Sequence, residues 1–175
     1  MRGGVVSTID SIDAPEVLYV GDGNCGLYAM KHCQKKVIAY PGNPFCNTYS
    51  SIDATDIESA RKELPDGCLL LHPECKPEIS SLADYSLGTG QMEDLIGKLD
   101  CKKFIIGAEI GFYHRMKGKF PEKVLVHLSP RLICNTFKAI RLSHVLDSLI
   151  KGKEIIQVEP AIAKKIFENA MRSVS

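Results

Sequence analysis

The residues with the clearest chemical potential lie between Gly21 and Ala29, where a cysteine directly follows a glycine-containing loop. Cys25 comes after an apolar run at 17–20 and begins a segment that is compatible with a helix. A thiol attacks only as its thiolate, and the free N–H groups at a helix N-terminus favour that anion. The glycines allow the loop to turn so that N–H groups point at a developing oxyanion. The pattern is typical of a cysteine hydrolase, and equally of a turn before a helix with a buried structural cysteine.

The run Gly21-Asp22-Gly23-Asn24-Cys25 resembles the nucleophile motif of the OTU (ovarian tumour) cysteine proteases, which are mostly deubiquitinases. Residues 82–95 are more weakly similar to the glycine-containing helix start of that family. The resemblance implies that Cys25 is the nucleophile and that Asp22 orients the base. The simplest oxyanion hole is formed by the backbone N–H groups of Gly23, Asn24 and Cys25. Gly26 departs from the family pattern, and the glycine at this position is also similar to viral papain-like proteases.

A cysteine nucleophile needs a general base, usually histidine. His32 lies two helical turns beyond Cys25, about 10 Å along the same presumed helix, so it cannot reach the thiol. The OTU pattern implies His144 as the base, with Asp147 as an alternative to Asp22 for the orienting acid, although the sequence around His144 also suits a helix. His127 lies near the end of a predicted strand and is the alternative base. The sequence leaves the choice between the two histidines open.

The resemblance implies a deubiquitinase that cleaves isopeptide-linked ubiquitin or a ubiquitin-like modifier through a thioester, with no cofactor and no metal. It implies a cytoplasmic monomer whose partners are ubiquitin conjugates. Two alternatives remain open at this point. One is a viral-type papain-like protease that cuts its own polyprotein, and the other is an inactive OTU-like module that binds ubiquitin.

The composition is that of one globular domain over residues 1–175, with residues 1–14 as a flexible arm. Forty-five per cent of the 175 residues are hydrophobic, and the formal net charge is only +1. The near-neutral charge gives no electrostatic case for nucleic-acid binding, and no apolar run reaches the roughly 18 residues of a membrane span. Seven cysteines without a secretory signal indicate reduced thiols in a cytosol.

A zinc site is a separate hypothesis. Cys68, His72 and Cys75 have local ligand spacing, and Cys46 or Cys101 is available as a fourth ligand. Structural zinc sites are usually built from Cys-x2-Cys pairs, and this sequence contains none. The hypothesis does not exclude hydrolase activity, because a zinc site can also brace an enzyme.

The fold class that these patterns predict is α+β. It is a single papain-like or OTU-like domain in which helices flank a small, mostly antiparallel sheet. From Ile140 to Ile150 helix and strand are both possible. The remaining predictions are a short strand at 17–20, helices at about 25–36, up to Leu64, at 90–99 and at 160–172, strands at 103–110 and 123–128, and a loop or hairpin at 111–118.

Overall fold

The computed structural model describes residues 4–42, 45–152 and 157–172. The chain divides into two compact units, Met1–Cys134 and Asn135–Ser175. The prediction of a single domain stays a prediction. In the first unit, strands alternate with helices along the chain. Its elements are α1 (Gly4–Ser11), β1 (Glu16–Val20), α2 (Gly23–His32), β2 (Lys36–Tyr40), α3 (Asn47–Ser50), α4 (Ala54–Glu63), β3 (Cys68–Leu71), α5 (Pro77–Ser80), β4 (Tyr85–Ser86), α6 (Thr89–Lys98), β5 (Lys103–Gly107), α7 (Ile110–Lys119) and β6 (Val124–His127).

The second unit consists, in its described part, of three helices. They are α8 (Asn135–Ala139), α9 (Leu142–Lys151) and α10 (Pro160–Arg172). The last of these confirms the predicted C-terminal helix, which begins with a proline because that residue fits the first helical position. Of the two possibilities for 140–150, the structure adopts the helix.

The strands of the first unit form two parallel sheets. One pairs β1 with β2, and the other has the order β4-β3-β5-β6. The prediction of a mostly antiparallel sheet is therefore wrong for the strands that the structure describes. Parallel neighbours need a crossover connection, and helices α2, α5, α6 and α7 lie in these connections. Helices and strands both occur, and the α+β class stays a prediction.

Two apolar clusters, one on each side of the four-stranded sheet, make up the core around that sheet. Leu69, Leu71 and Ile105 belong to one cluster, while Leu70 and Ile106 belong to the other. Alternate residues of a strand point to opposite faces, so both faces of β3 and β5 are apolar and buried. This is the usual pattern of a parallel sheet with cover on both sides.

Several sequence predictions change at the level of elements. Residues 4–11 form α1 with Val6 and Ile9 buried, so this part of the predicted flexible arm is ordered. The predicted loop at 111–118 is helix α7, and the strand predicted to reach Ile110 ends at Gly107. Within the described ranges, none of the helices combines the length and apolar character needed to cross a bilayer.

Candidate functional site

Polar and thiol side chains collect where the parallel strands end. The chain leaves β3 toward β4 on one side and leaves β5 toward β6 on the other, so the strand connections diverge between β3 and β5. In open parallel sheets, ligands bind outside the carboxyl ends of the strands at such a point. The loops after β1 and β2 reach the same edge, because Asn24 donates to the carbonyl oxygen of Glu74 at 2.9 Å. The residues gathered here are called the carboxyl-edge cluster: Asp22, Cys25, Cys46, Tyr49, His72, Glu74, Cys75 and Glu109.

Asp22 joins two of the loops at this edge. Its Oδ1 accepts a hydrogen bond from the backbone N–H of Cys25 at 3.0 Å, which caps the N-terminus of α2. Its Oδ2 accepts from the backbone N–H of Cys46 at 2.6 Å. A carboxylate at a helix N-terminus pairs with a backbone N–H that otherwise has no partner in the helix, and its negative charge interacts favourably with the positive end of the helix dipole. The carboxylate therefore holds the loops after β1 and β2 together.

Cys25 lies at the predicted helix start, but its surroundings disfavour the thiolate. Burial raises the pKa of its thiol, and the nearby carboxylates of Glu74 and Asp22 raise it further. The Tyr19 hydroxyl hydrogen-bonds to the sulfur and opposes this shift only in part. None of these three groups is a histidine that would take the proton. The expectation of an activated thiolate is therefore wrong, because desolvation and like charge outweigh the helix N-terminus.

The loop predicted to form the oxyanion hole packs closely against its neighbours, and one of its N–H groups is already bonded. The N–H of Cys25 already bonds to Asp22. A Cβ on Gly23 would lie 2.7 Å from the Phe45 ring and 2.9 Å from the carbonyl oxygen of Gly42. Asn24 uses its side-chain amide to bind Ser50 and the Glu74 backbone. These residues pack the loop against its neighbours.

The two candidate bases have hydrogen-bond partners of their own. His127 ends β6, where its Nε2 is 2.9 Å from the carbonyl oxygen of Ala108 and its ring stacks on Tyr113. Burial lowers the pKa of His127. His144 lies in α9 of the second unit, where its Nδ1 accepts from the backbone N–H of Arg141. The alternative orienting acid, Asp147, pairs with Lys151 of the same helix at 2.6 Å.

His72 follows β3 directly and is fixed on two sides. Its ring stacks on Tyr49, with centroids 4.5 Å apart and planes at 14°. Its Nδ1 accepts from the backbone N–H of Glu74 at 3.3 Å. Burial lowers its pKa to about 4, although the Asp22 carboxylate raises it in part. The imidazole is therefore neutral near pH 7 and carries its proton on Nε2, which is left as a hydrogen-bond donor.

Glu109 follows β5 and connects three segments of the edge. Its backbone N–H bonds to the Tyr49 hydroxyl at 3.4 Å. Its Oε2 accepts from the N–H of Gly111, which caps α7, and its Oε1 lies 3.4 Å from the N–H of Cys134. Glu109 thus determines the position of the Tyr49 hydroxyl and of the loop that carries Cys134.

Glu74, Cys46 and Cys75 are further titratable groups of the cluster, and burial shifts the pKa of each one. Burial and the nearby Asp22 raise the pKa of the Glu74 carboxyl, while a hydrogen bond with the Cys46 thiol opposes the shift. Burial raises the pKa of the Cys46 thiol, and raises that of Cys75 to about 12. The two thiols are thus protonated near pH 7. A raised carboxyl pKa is what proton transfer near neutral pH requires.

The structure separates the predicted zinc ligands. Cys68 begins β3 and His72 follows its last residue, so the rise of a strand puts their α-carbons about 13 Å apart. Nowhere in the described ranges do three or more His, Cys, Asp or Glu side chains gather in a way that would hold a metal ion. The described residues therefore do not support the zinc hypothesis.

The comparisons with known proteins decide the family. A model of the family described as quinolinate synthetase A protein matches residues 3–175, nearly the whole chain. The chain belongs to the quinolinate synthetase A protein family. It is 32% identical over 160 residues to quinolinate synthase of Dehalococcoides mccartyi, a match that covers 91% of this chain and 52% of that protein.

Two archaeal relatives agree with this result. Quinolinate synthase of Methanoregula boonei is 33% identical over 160 residues, covering 91% of this chain and 52% of the relative. Quinolinate synthase 2 of Methanosarcina acetivorans is 32% identical over 173 residues, covering 97% and 55%. The chain thus spans about half the length of the curated relatives it matches.

Membership of the quinolinate synthetase A family overturns the protease hypothesis and all that depended on it. The chain is neither an OTU deubiquitinase nor a viral-type protease nor an OTU-like module, and ubiquitin conjugates are not its partners. The roles of nucleophile, base and orienting acid fall with that hypothesis. The motif misled because its glycine at position 23 makes room for packing against Phe45 and the backbone of Gly42.

Sequence reasoning missed Tyr49, Glu74 and Glu109 as members of the site. The available signal was the position of polar residues after apolar runs. His72, Glu74 and Cys75 follow the run at 68–71, and Glu109 follows the run at 104–106. Had the strands been taken as parallel, these residues would have been expected to meet at one edge.

Proposed function

We propose that the carboxyl-edge cluster is part of the active site of a quinolinate synthase. The observation that carries this proposal is the position of the cluster. In a chain whose curated relatives are named quinolinate synthase, an imidazole, three carboxyl groups and three thiols meet where open parallel sheets bind small molecules. Because the chain spans about half of these relatives, the whole activity requires residues beyond the cluster.

The chemistry of the product supports the same assignment. Quinolinate is pyridine-2,3-dicarboxylate, and building its ring from acyclic precursors requires C–C and C–N bonds and the loss of water. Protons must therefore be removed and returned at several atoms. Glu74 acts as the proton-transfer group, since burial raises its pKa toward neutrality. His72 stays neutral and donates its Nε2–H to a carboxylate or carbonyl oxygen of the bound molecule.

Calorimetry with quinolinate tests the binding part of this proposal. We expect quinolinate to bind more tightly than pyridine-2-carboxylate, which lacks the second carboxylate. His72→Phe keeps a flat ring against Tyr49 but removes the donor, so it should weaken quinolinate binding about ten-fold, as for one lost charge-assisted hydrogen bond. Equal affinity for the two pyridines, or no binding of quinolinate at millimolar concentration, would contradict the proposal.

Complementation tests the catalytic part. The chain is expressed in a bacterium that has lost its own quinolinate synthase, both alone and together with the part of the Methanosarcina acetivorans relative outside the match. We expect growth without quinolinate in at least one of these settings. Glu74→Gln should abolish that growth while leaving quinolinate binding within about two-fold, because it removes a titrating proton but keeps the shape. Growth that persists in Glu74→Gln would remove this residue from the reaction.

We also propose a cytoplasmic location. None of the seven cysteines is in a disulfide, which is typical of a compartment that keeps thiols reduced.

A further inference from the structure

A cavity of about 620 Å³ lies at the β4 edge of the four-stranded sheet, between α2 and the segment that runs from α5 to β4. All of its lining residues belong to the first unit, and none of them is a member of the carboxyl-edge cluster. Tyr28, Lys31 and His32 line it from one face of α2, since residues three and four apart are neighbours on a helix. The volume is in the range of clefts that hold small molecules. We call it the α2–β4 cavity.

The α2 wall of this cavity is aromatic. The rings of Tyr28 and His32 have centroids 4.3 Å apart and planes at 35°. The Tyr28 hydroxyl donates to the backbone carbonyl oxygen of Ser86 at 3.4 Å, which joins this wall to β4. Tyr85 of β4 also lines the cavity, so aromatic side chains occur on both walls. A planar heterocycle suits such a surface, because bases stack on aromatic side chains whatever their sequence.

Lys31 brings a positive charge to the cavity. No carboxylate of the described residues pairs with its ammonium group, whereas the acidic lining residue Asp84 is already bound to Arg61 at 3.0 Å. Burial and the nearby Lys31 lower the pKa of His32, so this imidazole is neutral near pH 7 and keeps one N–H donor. An anionic group in the cavity therefore meets an unpaired cation and a second donor.

Ser86 adds a hydroxyl group that the described residues leave unsatisfied. Its Oγ is buried and has no hydrogen-bond partner among them. Native structures satisfy most buried polar groups, so this atom calls for a partner from outside the described chain. Because Ser86 lines the cavity, rotation about one side-chain bond brings the hydroxyl within reach of a molecule bound there.

We propose that the α2–β4 cavity binds a nucleoside monophosphate. The base stacks on Tyr28 and His32, the phosphate pairs with Lys31, and the Ser86 hydroxyl forms a hydrogen bond with the nucleotide. A nucleotide matches the lining better than a peptide or a lipid does, because it combines a planar ring with a compact anion. The cavity is separate from the carboxyl-edge cluster, and the proposal does not rest on the proposed activity.

Calorimetry of the 175-residue chain with adenosine 5′-monophosphate (AMP) as the probe tests the proposal. We expect a dissociation constant below about 1 mM. Binding should be at least about ten-fold weaker for adenosine, which lacks the phosphate, and for ribose 5-phosphate, which lacks the base. These two compounds test the recognition of the anion and of the ring separately.

Variants assign the binding to the cavity. Lys31→Gln should weaken AMP binding about ten-fold, as for one lost charge-assisted hydrogen bond. Lys62→Gln is the matched control, because Lys62 is also exposed and also lies in the last turn of a ten-residue helix. Ser86→Ala should weaken AMP binding about five-fold without lowering the urea midpoint, since the hydroxyl has no partner to lose in the free chain.

The urea midpoint of each variant establishes that it is folded before affinities are compared. Four results would overturn the proposal. The first is no binding of AMP at millimolar concentration, and the second is adenosine or ribose 5-phosphate that binds as tightly as AMP. The third is equal affinity for AMP in Lys31→Gln and Lys62→Gln. The fourth is AMP binding that is lost in His72→Phe but kept in Lys31→Gln, because this would place the nucleotide at the carboxyl-edge cluster.

Discussion

At the scale of single residues, one carboxylate in the loop after β1 accepts two backbone hydrogen bonds. Asp22 caps α2 and holds the N–H of Cys46, and both bonds are made by a charged acceptor. Loss of a cap costs about 1 kcal/mol, and loss of a charge-assisted bond costs about 1.5 kcal/mol or more. We therefore expect Asp22→Ala to lower the free energy of unfolding by about 2–3 kcal/mol in urea denaturation.

Asp22→Asn is the control, since its side-chain oxygen still caps the helix. It should lose about 1 kcal/mol less stability than Asp22→Ala, because it keeps the cap but has no second oxygen to accept from the N–H of Cys46. Equal losses in the two variants would show that the negative charge, rather than the hydrogen-bonding oxygen, is what the loop requires.

His72 makes the stability of the chain depend on pH. Its pKa is about 4 in the folded chain and about 6.5 when unfolded, so the unfolded state takes up the proton first as the pH falls. Stability is therefore complete above about pH 6.5 and is lost as the pH falls toward 4. We expect this residue alone to lower the free energy of unfolding by about 2 kcal/mol between pH 7 and pH 5.

The carboxyl groups near His72 titrate in the same range and must be separated from it. The folded pKa of Glu74 is raised, so its contribution is present at low pH and is lost as the pH rises, opposite to His72. Asp22 also faces the imidazole. His72→Phe isolates the effect, because its stability should fall by about 2 kcal/mol less than that of the wild type over the same interval. Parallel curves for the two proteins would contradict the depressed pKa.

The residue scale is also where sequence reasoning was least successful. Asp22 was singled out as an orienting acid, whereas the structure shows that it caps α2, a role that its position before a helix could have indicated. The state of Cys25 could not be predicted, because the pKa of a thiol depends on burial and on Glu74, which is 49 residues away in the chain. Local spacing contains no information about such a partner.

At the scale of elements, the contact between α2 and β2 depends on a glycine. A Cβ on Gly26 would lie 2.8 Å from Ala39 and 3.2 Å from the Tyr19 ring, so the helix must shift away from the sheet. Overpacking of this kind costs about 1–3 kcal/mol. We expect Gly26→Ala to be destabilised by this amount in urea denaturation, despite the better helix propensity of alanine.

Gly118 in α7 provides the matched control. It also lies in a ten-residue helix, but a Cβ there would meet nothing within 4 Å. Gly118→Ala should therefore be stabilised by about 0.5–1 kcal/mol through propensity alone. A gain in stability at both positions would mean that α2 does not pack closely on β2.

Elements with strong local signals were predicted well, and those fixed by tertiary contacts were not. The predicted helix at 90–99 matches α6, because its apolar residues recur at helical spacing and are buried. Helix α7 was missed because residues 111–118 contain two glycines and a mixed polar pattern. Its buried residues Phe112 and Met116 pack with the sheet, so contacts distant in sequence determine its structure.

At the scale of the whole molecule, strand direction was the decisive unknown. The apolar runs at 68–71 and 103–107 are buried on both faces, which is characteristic of parallel strands. Taken as antiparallel, they gave a protease-like sheet. Taken as parallel, they place one edge between β3 and β5, where His72 and Glu74 join Cys25 in the carboxyl-edge cluster. The motif was local evidence, whereas the topology is a property of the whole chain.

The rates at which buried and exposed cysteines react with a thiol reagent report how often the first unit opens. Cys75 is only 1% exposed, lies in a core cluster and has a pKa of about 12, so a thiol reagent reaches it only when the structure opens. Cys101 lies between α6 and β5 and is partly exposed. With dithionitrobenzoate at pH 8, we expect seven reactive thiols in denaturant, and in the native chain a reaction of Cys101 at least about a hundred-fold faster than that of Cys75.

The rate at Cys75 should also follow global stability. If opening reaches equilibrium before the reagent reacts, each 1.4 kcal/mol lost by Gly26→Ala accelerates labelling of Cys75 about ten-fold, while Cys101 is unaffected. Peptide mapping by mass spectrometry assigns each labelled thiol. Rapid labelling of Cys75 in the native wild type would show that the carboxyl-edge cluster opens locally, without unfolding of the sheet beneath it. Fewer than seven thiols in denaturant without reductant would contradict the reduced state.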